Sequence, residues 1–313
     1  MSLATAVSAG SDFVSLAEGH SRPVLACRFA NQGSCVVSGG LDAHLCIWDL
    51  EARCSWQVDE PHAKGAAVTS LDVVDNARIV TGSADRTLGV FDLETGVKQR
   101  RLVGHKRVVN QVRHLPLTQR IASVGDDGQL CLWDANSKRA IWSVTQEFPL
   151  FTVAAAAASD HLVYVSGLDP VIRCYDIRNS TSTELFSWNS AHSDSVCSLD
   201  LTSNDKLCSV GFDGTLRIHD ANVASAKLSR VLSSFQLTGT GNADQYLVRS
   251  KWAHHDRYAV TQGYICDVTS GSAVNSFSDR LPTSSQVIDV DYDVESNRIA
   301  MSLTDGSLCV FTM

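Results

Sequence analysis

The 313-residue sequence lacks the signatures of several protein classes. It has only six prolines, and 44% of its residues are hydrophobic against 19% charged, which excludes a disordered chain. None of its ten cysteines forms the close C-x-x-C pair of a zinc or redox site. The first residues lack the basic and apolar regions of a signal peptide, and the apolar stretch 148–159 is too short to cross a bilayer. We therefore expect a globular protein of a reducing compartment, with no metal, cofactor or membrane partner.

An excess of positive charge is also missing. The formal net charge is −8, so the overall field of the protein does not attract nucleic acid or anionic membranes. Any contact with RNA has to be local and minor. The sequence contains no P-loop, H-E-x-x-H or G-x-S-x-G motif, and an enzymatic function with a small-molecule substrate ranks last among the interpretations.

A segment that ends in an aromatic residue and an aspartate, or in close equivalents, recurs along the whole sequence. Successive ends are 43, 42, 42, 44, 47 and 45 residues apart. This spacing is typical of four-stranded propeller blades, and seven segments predict an all-β, seven-bladed WD40 β-propeller. The segments end at Asp49, Asp92, Asp134, Asp176, Asp220, Asp267 and Thr312.

A turn aspartate lies seven residues before the end of six units, and in four units a histidine lies 21 to 23 residues further upstream. In WD repeats these two side chains join a serine or threonine and a tryptophan in one hydrogen-bonded chain, because a buried carboxylate needs donors. The complete sets are His20, Ser38, Asp42 and Trp48 in unit one, and His105, Ser123, Asp127 and Trp133 in unit three.

Two other units carry partial sets. These are His62, Thr81 and Asp85 in unit two, where Phe91 replaces the tryptophan, and His192, Ser209 and Asp213 in unit five, where His219 is a substitute donor. A serine, a histidine and an aspartate also form the catalytic group of many hydrolases. Because the trio recurs in four units, we interpret it as structural and predict no catalytic residue.

The first and last repeats predict how the ring closes. The last unit ends at its third strand, and the run Phe13-Val14-Ser15-Leu16 belongs to no complete unit. We expect this run to supply the missing outer strand of the last blade, which removes an open sheet edge. Residues 12–313 then form a single propeller, and residues 1–11 form a flexible N-terminus.

Acidic residues alternate along the first strand of the last unit, at Asp289, Asp291, Asp293 and Glu295. Such a pattern lines either a central channel or a solvated strand face. We favour the solvated face, because paired carboxylates alone do not make a site.

Apolar residues are in excess at the positions that open the innermost strands and precede the turn aspartates. In propellers these positions surround the channel on one face, here called the upper face, and exposed apolar groups on one face mark an interface. We predict protein binding there by Pro23, Leu25, Leu41, Phe151, Leu168, Phe212, Arg249 and Ile288.

A basic segment without acidic residues spans the end of unit two and the start of unit three. It is a candidate contact for RNA or for an acidic partner, although we favour a solvated outer strand, because no aromatic residue lies nearby to stack on bases. The candidate residues are Lys98, Arg100, Arg101, Lys106 and Arg107.

Beyond the repeat, the sequence resembles the family of 40-kilodalton WD40 subunits of the U5 spliceosomal particle. The resemblance lies in residues 108–141, in residues 192–220 and in the long link SSFQLTGTGNADQYLVRSKWAHHD between units five and six. It implies a nuclear, non-catalytic scaffold of pre-mRNA splicing. The implied partners are the large central U5 protein and neighbouring spliceosomal subunits.

Unit six departs from that family, because only 15 residues separate Trp252 from Asp267 and no turn aspartate remains. We expect a short hairpin there that turns near Gln262-Gly263. The alternative function is a substrate receptor of a cullin-type ubiquitin ligase, since Tyr175-Asp176-Ile177-Arg178 resembles the W-D-x-R box of such receptors.

Overall fold

Extended segments of four to nine residues make up every regular element of the part of the chain that the structure describes. The computed structural model describes residues 4–8, 13–51, 54–58, 61–156, 159–179, 183–189, 191–222, 231–237, 246–254, 256–277, 280–282 and 285–313. Strands form because β-branched and aromatic residues alternate with polar ones between turns. Within the described residues, no helix has the length and hydrophobicity of a membrane span.

Two short strands, β1 (Ala4–Ser8) and β2 (Phe13–Leu16), precede three consecutive antiparallel blades. Blade one contains β3 (Val24–Ala30), β4 (Cys35–Gly40), β5 (Leu45–Asp49) and β6 (Cys54–Val58). Blade two contains β7 (Val68–Val74), β8 (Arg78–Ser83), β9 (Thr87–Asp92) and β10 (Lys98–Val103). Blade three contains β11 (Val109–Leu115), β12 (Arg120–Gly125), β13 (Gln129–Asp134) and β14 (Trp142–Thr145).

Blades four to six have the same strand order. Blade four contains β15 (Leu150–Ala156), β16 (Ser159–Gly167), β17 (Ile172–Asp176) and β18 (Glu184–Trp188). Blade five contains β19 (Val196–Leu201), β20 (Lys206–Gly211), β21 (Thr215–Asp220) and β22 (Val231–Gln236). Blade six contains β23 (Ser250–Ala253), β24 (Tyr258–Thr261), β25 (Tyr264–Asp267) and β26 (Ser272–Ser276).

The seventh blade is built from distant parts of the chain. It contains β27 (Val287–Asp293), β28 (Arg298–Leu303) and β29 (Leu308–Thr312), and β2 is its outer strand. The register pairs Phe13 with Phe311 and Leu16 with Leu308. The predicted seven-bladed ring and its closure by the run 13–16 are therefore confirmed.

Strand β1 lies between the outer edges of the last and first blades. It pairs with β2 on one side and with β6 on the other. We expected residues 1–11 to be flexible; five of them form this strand, whereas residues 9–12, which include the predicted domain boundary, lie outside the described residues. The boundary at residue 12 stays a prediction.

The hydrophobic core lies between neighbouring blades. Blades one and two share a cluster that contains Ile47 and Leu71, and blades two and three share one that contains Val90 and Trp133. Each blade buries one face against the preceding blade and one against the next. Burial on both faces explains why the middle strands read as nearly continuous apolar runs.

A β-bulge recurs near the start of the innermost strand in six of the blades. Register shifts there leave one residue outside the regular pairing with the second strand. These residues are Leu25, Thr69, Asn110, Phe151, Cys197 and Ile288. A bulge disrupts the ladder locally, so polar groups of its backbone need partners from elsewhere.

The short hairpin predicted for blade six is confirmed. Thr261 pairs with Tyr264, and Gln262 and Gly263 between them have φ angles of 49° and 81°. Two consecutive residues with positive φ are the requirement of a tight two-residue hairpin turn.

Candidate functional site

Buried chains of hydrogen bonds fix the upper loops of four blades. In blade one, Trp48 Nε1 donates to Ser38 Oγ at 2.8 Å, Ser38 lies 2.8 Å from His20 Nε2, and His20 Nδ1 lies 3.0 Å from Asp42. Because Ser38 accepts from the indole, its hydroxyl donates to Nε2, and Nδ1 carries the proton for the carboxylate. Blade three repeats this chain through Trp133, Ser123, His105 and Asp127.

The turn aspartate ties two separate loops of its blade together. Asp42 accepts the backbone N–H of Ser21 at 2.9 Å and that of His44 at 3.1 Å. Burial raises the pKa of Asp42, but the hydrogen bond from His20, together with these two N–H groups, outweighs burial and lowers the pKa to about 2. The carboxylate is therefore ionised at neutral pH and holds the upper loops in place.

Blades two and five keep the chain with different end residues. In blade two, His62 Nε2 bonds to Thr81 at 2.7 Å, and Phe91 offers no further donor. In blade five, His219 Nε2 lies 2.8 Å from Ser209 Oγ, so the imidazole takes the place of the indole. The ring of His219 stacks on Trp188 at 5.2 Å, and burial lowers its pKa to about 3.

The other partners of blade five match those of the complete blades. His192 bonds to Ser209 at 2.7 Å and to Asp213 at 3.0 Å. In blade two, His62 Nδ1 lies 3.3 Å from Asp85. The structure thus brings together every side chain of the four predicted sets, and it buries the hydroxyl groups of all four completely.

Arg249 crosses the upper end of the central channel. Its guanidinium donates to the carbonyl oxygens of Cys197 at 2.7 Å, Asn110 at 2.8 Å and Phe151 at 2.9 Å. All three acceptors are bulge residues, in blades five, three and four respectively, and the N–H of Arg249 donates to the bulge carbonyl of Ile288 in blade seven at 2.8 Å. One residue of blade six therefore connects four other blades.

The prediction that Arg249 and Ile288 are exposed on the upper face is wrong. They are 5% and 2% exposed, because the bulges release carbonyl oxygens that a long cation satisfies and because the backbone of Arg249 packs onto Ile288. Burial lowers the pKa of Arg249 to about 10, so it stays charged at neutral pH. Sequence spacing gave no sign of the bulges that create this site.

The remaining upper-face candidates keep accessible surface. Leu168 is 48% exposed. Partly exposed side chains belong to Pro23, Leu25, Leu41, Phe151 and Phe212. Backbone bonds join two pairs of loops here, from Leu41 N to Pro23 O at 2.9 Å and from Leu168 N to Pro149 O at 3.0 Å. An apolar upper surface remains, but it surrounds a channel mouth that Arg249 occupies.

The interpretation of Asp289 and Asp291 as a solvated strand face is also wrong. They are 1% and 7% exposed, and they accept the backbone N–H groups of Cys27 at 3.1 Å and Phe29 at 2.9 Å in blade one. Asp289 also pairs with the buried Arg28 at 2.6 Å. The alternation places these carboxylates against unpaired N–H groups of the neighbouring inner strand, where they join the last blade to the first.

The same device joins other blades. A side chain on one inner strand accepts an N–H of the next inner strand, as Asp72 does for His114 at 2.7 Å and Asp200 for Trp252 at 3.0 Å. Sequence reasoning missed these residues. The sequence did contain a signal for them, since Asp72, Asp200 and Asp291 each lie three residues after the bulge residue of their strand.

Charged side chains meet at the lower end of the channel. Arg113 pairs with Asp200 at 2.9 Å, and Lys251 lies 3.5 Å from Asp291. Arg113, Lys251 and Asp291 line a cavity of about 390 Å³ together with Arg28 and Asp72. The cations come from blades one, three and six, so this layer ties together strands far apart in sequence.

The basic segment divides into two groups. Lys98 and Arg101 face their own blade, because Lys98 Nζ donates to Pro61 O at 2.6 Å and Arg101 Nε donates to Thr87 at 3.3 Å. Arg100 points toward blade three and donates to Asn136 O at 2.9 Å. Lys106 and Arg107 are exposed in the loop that follows.

The W-D-x-R-like segment of blade four has its arginine engaged within the segment. Arg178 Nη2 donates to Asp176 Oδ2 at 2.6 Å, and Arg178 Nε donates to Asp176 Oδ1 at 2.9 Å. The arginine side chain is 66% exposed. This fork holds it against the end of its own strand.

Comparison with known proteins agrees with this architecture. The family model described as WD domain, G-beta repeat matches residues 11–49, 96–134 and 183–220. These matches cover the three repeat units that end with the third strands of blades one, three and five. They include the two complete hydrogen-bonded sets and the set that ends in His219.

Several relatives are named as splicing proteins. The pre-mRNA-splicing factor cwf17 of Schizosaccharomyces pombe is 33% identical over 164 residues, 52% of this chain and 48% of the relative. The U5 small nuclear ribonucleoprotein 40 kDa protein of Dictyostelium discoideum is 32% identical over 166 residues, 51% of this chain and 45% of the relative. The chain thus spans about half the length of these two relatives.

A longer alignment joins the chain to a human relative. The U5 small nuclear ribonucleoprotein 40 kDa protein of Homo sapiens is 29% identical over 266 residues, 82% of this chain and 72% of the relative. The chain is therefore a seven-bladed β-propeller that contains WD40 repeats, and it is similar to the U5 40 kDa proteins.

Proposed function

We propose that the chain is a non-catalytic scaffold of the U5 particle in pre-mRNA splicing, located in the nucleus. Its proposed partners are the large central U5 protein and neighbouring spliceosomal subunits. The observation that carries the proposal is the similarity to the human U5 40 kDa protein across 82% of the chain. This alignment extends beyond the three repeat units that match the WD-repeat family model.

The geometry of the repeated sets supports a scaffold. A serine nucleophile needs an accessible hydroxyl beside its base and a space for the substrate. Here Ser38, Ser123 and Ser209 are each 0% exposed, and each hydroxyl is bonded to a second ring nitrogen besides that of its histidine. The trio therefore fixes loops, as WD40 propellers that serve as binding platforms require.

The upper face is the docking surface that we propose for the protein partners. In four blades the buried aspartate networks hold the upper loops in place. The surface is therefore formed before a partner arrives. Preformed loops lower the entropic cost of association. Leu168, Leu41 and Phe212 are the apolar groups on this face that a partner would cover.

Recovery of partners from nuclear extract tests the proposed function. The tagged chain is incubated with extract, and the bound proteins are identified by mass spectrometry. Recovery of U5 components supports the proposal. Recovery of a cullin and its adaptor without U5 components refutes it and favours the ubiquitin-ligase alternative.

A paired variant tests the upper face. We expect Leu41→Glu with Phe212→Glu to abolish recovery of the partners, because two charges would be buried at the interface. The matched control is Leu117→Glu with Val294→Glu, at two turns that are 63% and 57% exposed. The melting temperature of each variant shows that the ring is intact. Unchanged recovery by the first variant rules this surface out.

A further inference from the structure

Positive charge is concentrated in one part of an acidic protein. Between Glu94 and Asp126 the sequence contains seven lysines and arginines and no acidic residue, although the formal net charge of the chain is −8. The structure folds this stretch into the outer strand of blade two and the first two strands of blade three. Arg113 lies in the channel, where it pairs with Asp200, whereas Lys98, Arg100 and Arg101 lie on the outer strand of blade two and Lys106 and Arg107 lie in the loop that follows it.

Blade three adds further cations to the same place. The backbone N–H of Val103 donates to Lys138 O at 3.1 Å, and Arg100 donates to Asn136 O at 2.9 Å. These bonds bring the segment 136–139 beside β10. We call the resulting surface the basic rim, and it comprises Arg100, Lys106, Arg107, Lys138 and Arg139.

Carboxylates of the described residues do not neutralise the cations of the basic rim. Among the described residues, no carboxylate lies within ion-pair distance of these five side chains, whereas Arg101 lies 3.8 Å from Asp85. Four of them, Lys106, Arg107, Lys138 and Arg139, are exposed. A surface of this kind attracts an acidic partner and speeds its association.

Aliphatic side chains distinguish the kind of acidic partner. Val97, Val103 and Ile141 are 62%, 55% and 47% exposed beside or on the basic rim. Nucleic acid binding uses aromatic side chains on which bases stack, and none of the aromatic residues described here is exposed on this rim. Valine and isoleucine between cations match a protein segment in which acidic and aliphatic residues alternate.

We infer that the basic rim binds an acidic, aliphatic-rich segment of a protein partner. The inference rests on the proposed scaffold function and adds a second surface, made of residues other than the apolar ones proposed for the upper face. The carboxylates of the segment pair with the cations of both blades. Its aliphatic side chains cover Val103 and Ile141, which holds the segment across the boundary between the two blades.

Titration with defined probes tests the inference. The probes are a fluorescein-labelled peptide of about 12 residues that alternates glutamate and valine, the same peptide with serine for valine, and a single-stranded oligouridylate of about 12 nucleotides. We expect the glutamate–valine peptide to bind tightest by fluorescence anisotropy. Binding should weaken between 50 and 200 mM salt, because the attraction is electrostatic.

Charge-reversal variants of the full chain locate the binding. In Arg100→Glu, Lys138→Glu, Arg139→Glu the affinity for the peptide should fall at least about tenfold. The matched control reverses three exposed cations elsewhere, as Lys64→Glu, Arg86→Glu, Arg280→Glu, and should keep its affinity. The same three rim positions changed to glutamine should give an intermediate loss, with a melting temperature near that of the original chain.

Three outcomes overturn the inference. They are tighter binding of oligouridylate than of the peptide, equal binding of the serine peptide, and equal losses in the rim and control variants. None of these results changes the recovery of U5 components from nuclear extract. The inference about the rim can therefore fail while the proposed function stands.

Discussion

Replacement of Arg249 should destabilise the whole ring, since this side chain connects blades three, four and five from blade six. In Arg249→Met the side chain keeps its length and apolar stem but loses all guanidinium donors. The carbonyl oxygens of Asn110, Phe151 and Cys197 then lack the donors that lie 2.7 to 2.9 Å away in the structure. We expect the free energy of unfolding to fall, because the loss of these hydrogen bonds outweighs the removal of a buried charge.

The magnitude follows from those effects. Each hydrogen bond from a charged donor contributes about 1.5–3 kcal/mol, so three of them contribute roughly 4.5–9 kcal/mol. The cost of burying a guanidinium without a contacting carboxylate, several kcal/mol, disappears in the variant. The expected net loss is about 3 kcal/mol, which for a chain of this length corresponds to a melting temperature lower by about 5 °C.

Two further variants make the test specific. Arg249→Lys keeps the charge but not the planar fork, and its loss should be smaller, about 1–2 kcal/mol. Arg86→Met removes an exposed arginine and is the control, with an expected change within about 0.5 kcal/mol. Thermal unfolding followed by circular dichroism and by calorimetry gives the values. A melting temperature of Arg249→Met equal to that of the Arg86 control would refute the assigned role.

Two other predictions concern the hydrogen-bonded sets. Ser123→Ala leaves Trp133 Nε1 and His105 Nε2 without their shared partner and should cost about 2–3 kcal/mol in denaturant unfolding, whereas the exposed Ser234→Ala should change little. A loss below about 0.5 kcal/mol would contradict the network. In the folded chain the pKa of His219 is lowered to about 3, below its value in the unfolded chain. The unfolded state therefore binds more protons between these two pKa values, and the stability should fall as the pH falls from about 6.5 toward 3. The variant His219→Phe has at this position the residue type that blade two has. It should reduce the slope of the free energy of unfolding against pH, between pH 6.5 and 4, by up to about 1.4 kcal/mol per pH unit. An unchanged slope would show that His219 does not cause the pH dependence.

The ring itself was predictable from the sequence because its signal repeats. The aspartate and aromatic landmarks recur at nearly constant spacing, and each marks the end of a third strand in the structure. The residues of each hydrogen-bonded set are also close to one another in sequence, within one unit. Local chemistry was therefore enough to predict which side chains meet.

The channel residues could not be predicted in the same way. Arg249 reaches acceptors as far as 139 positions away in sequence, and Asp289 meets blade one across 262 positions. Such contacts depend on ring closure and on the bulges, which change the direction of a side chain by one residue. A periodic pattern gives the face of a strand but not the groups that lie opposite it after closure.

The outer strand of the last blade has a consequence for synthesis of the chain. Strand β2 is made before the six complete blades, yet its partner β29 is made roughly 300 residues later, which at cellular rates of translation is about 15–60 seconds. During this interval Val14 and Leu16 lack the part of their hydrophobic cluster that comes from blade seven, which includes Ala300 and Leu308. Blades one to six can form as they leave the ribosome, and the last blade waits for β29. A factor that shields this short strand during translation would raise the yield of closed rings, whereas a stall before β29 is made would leave the ring open.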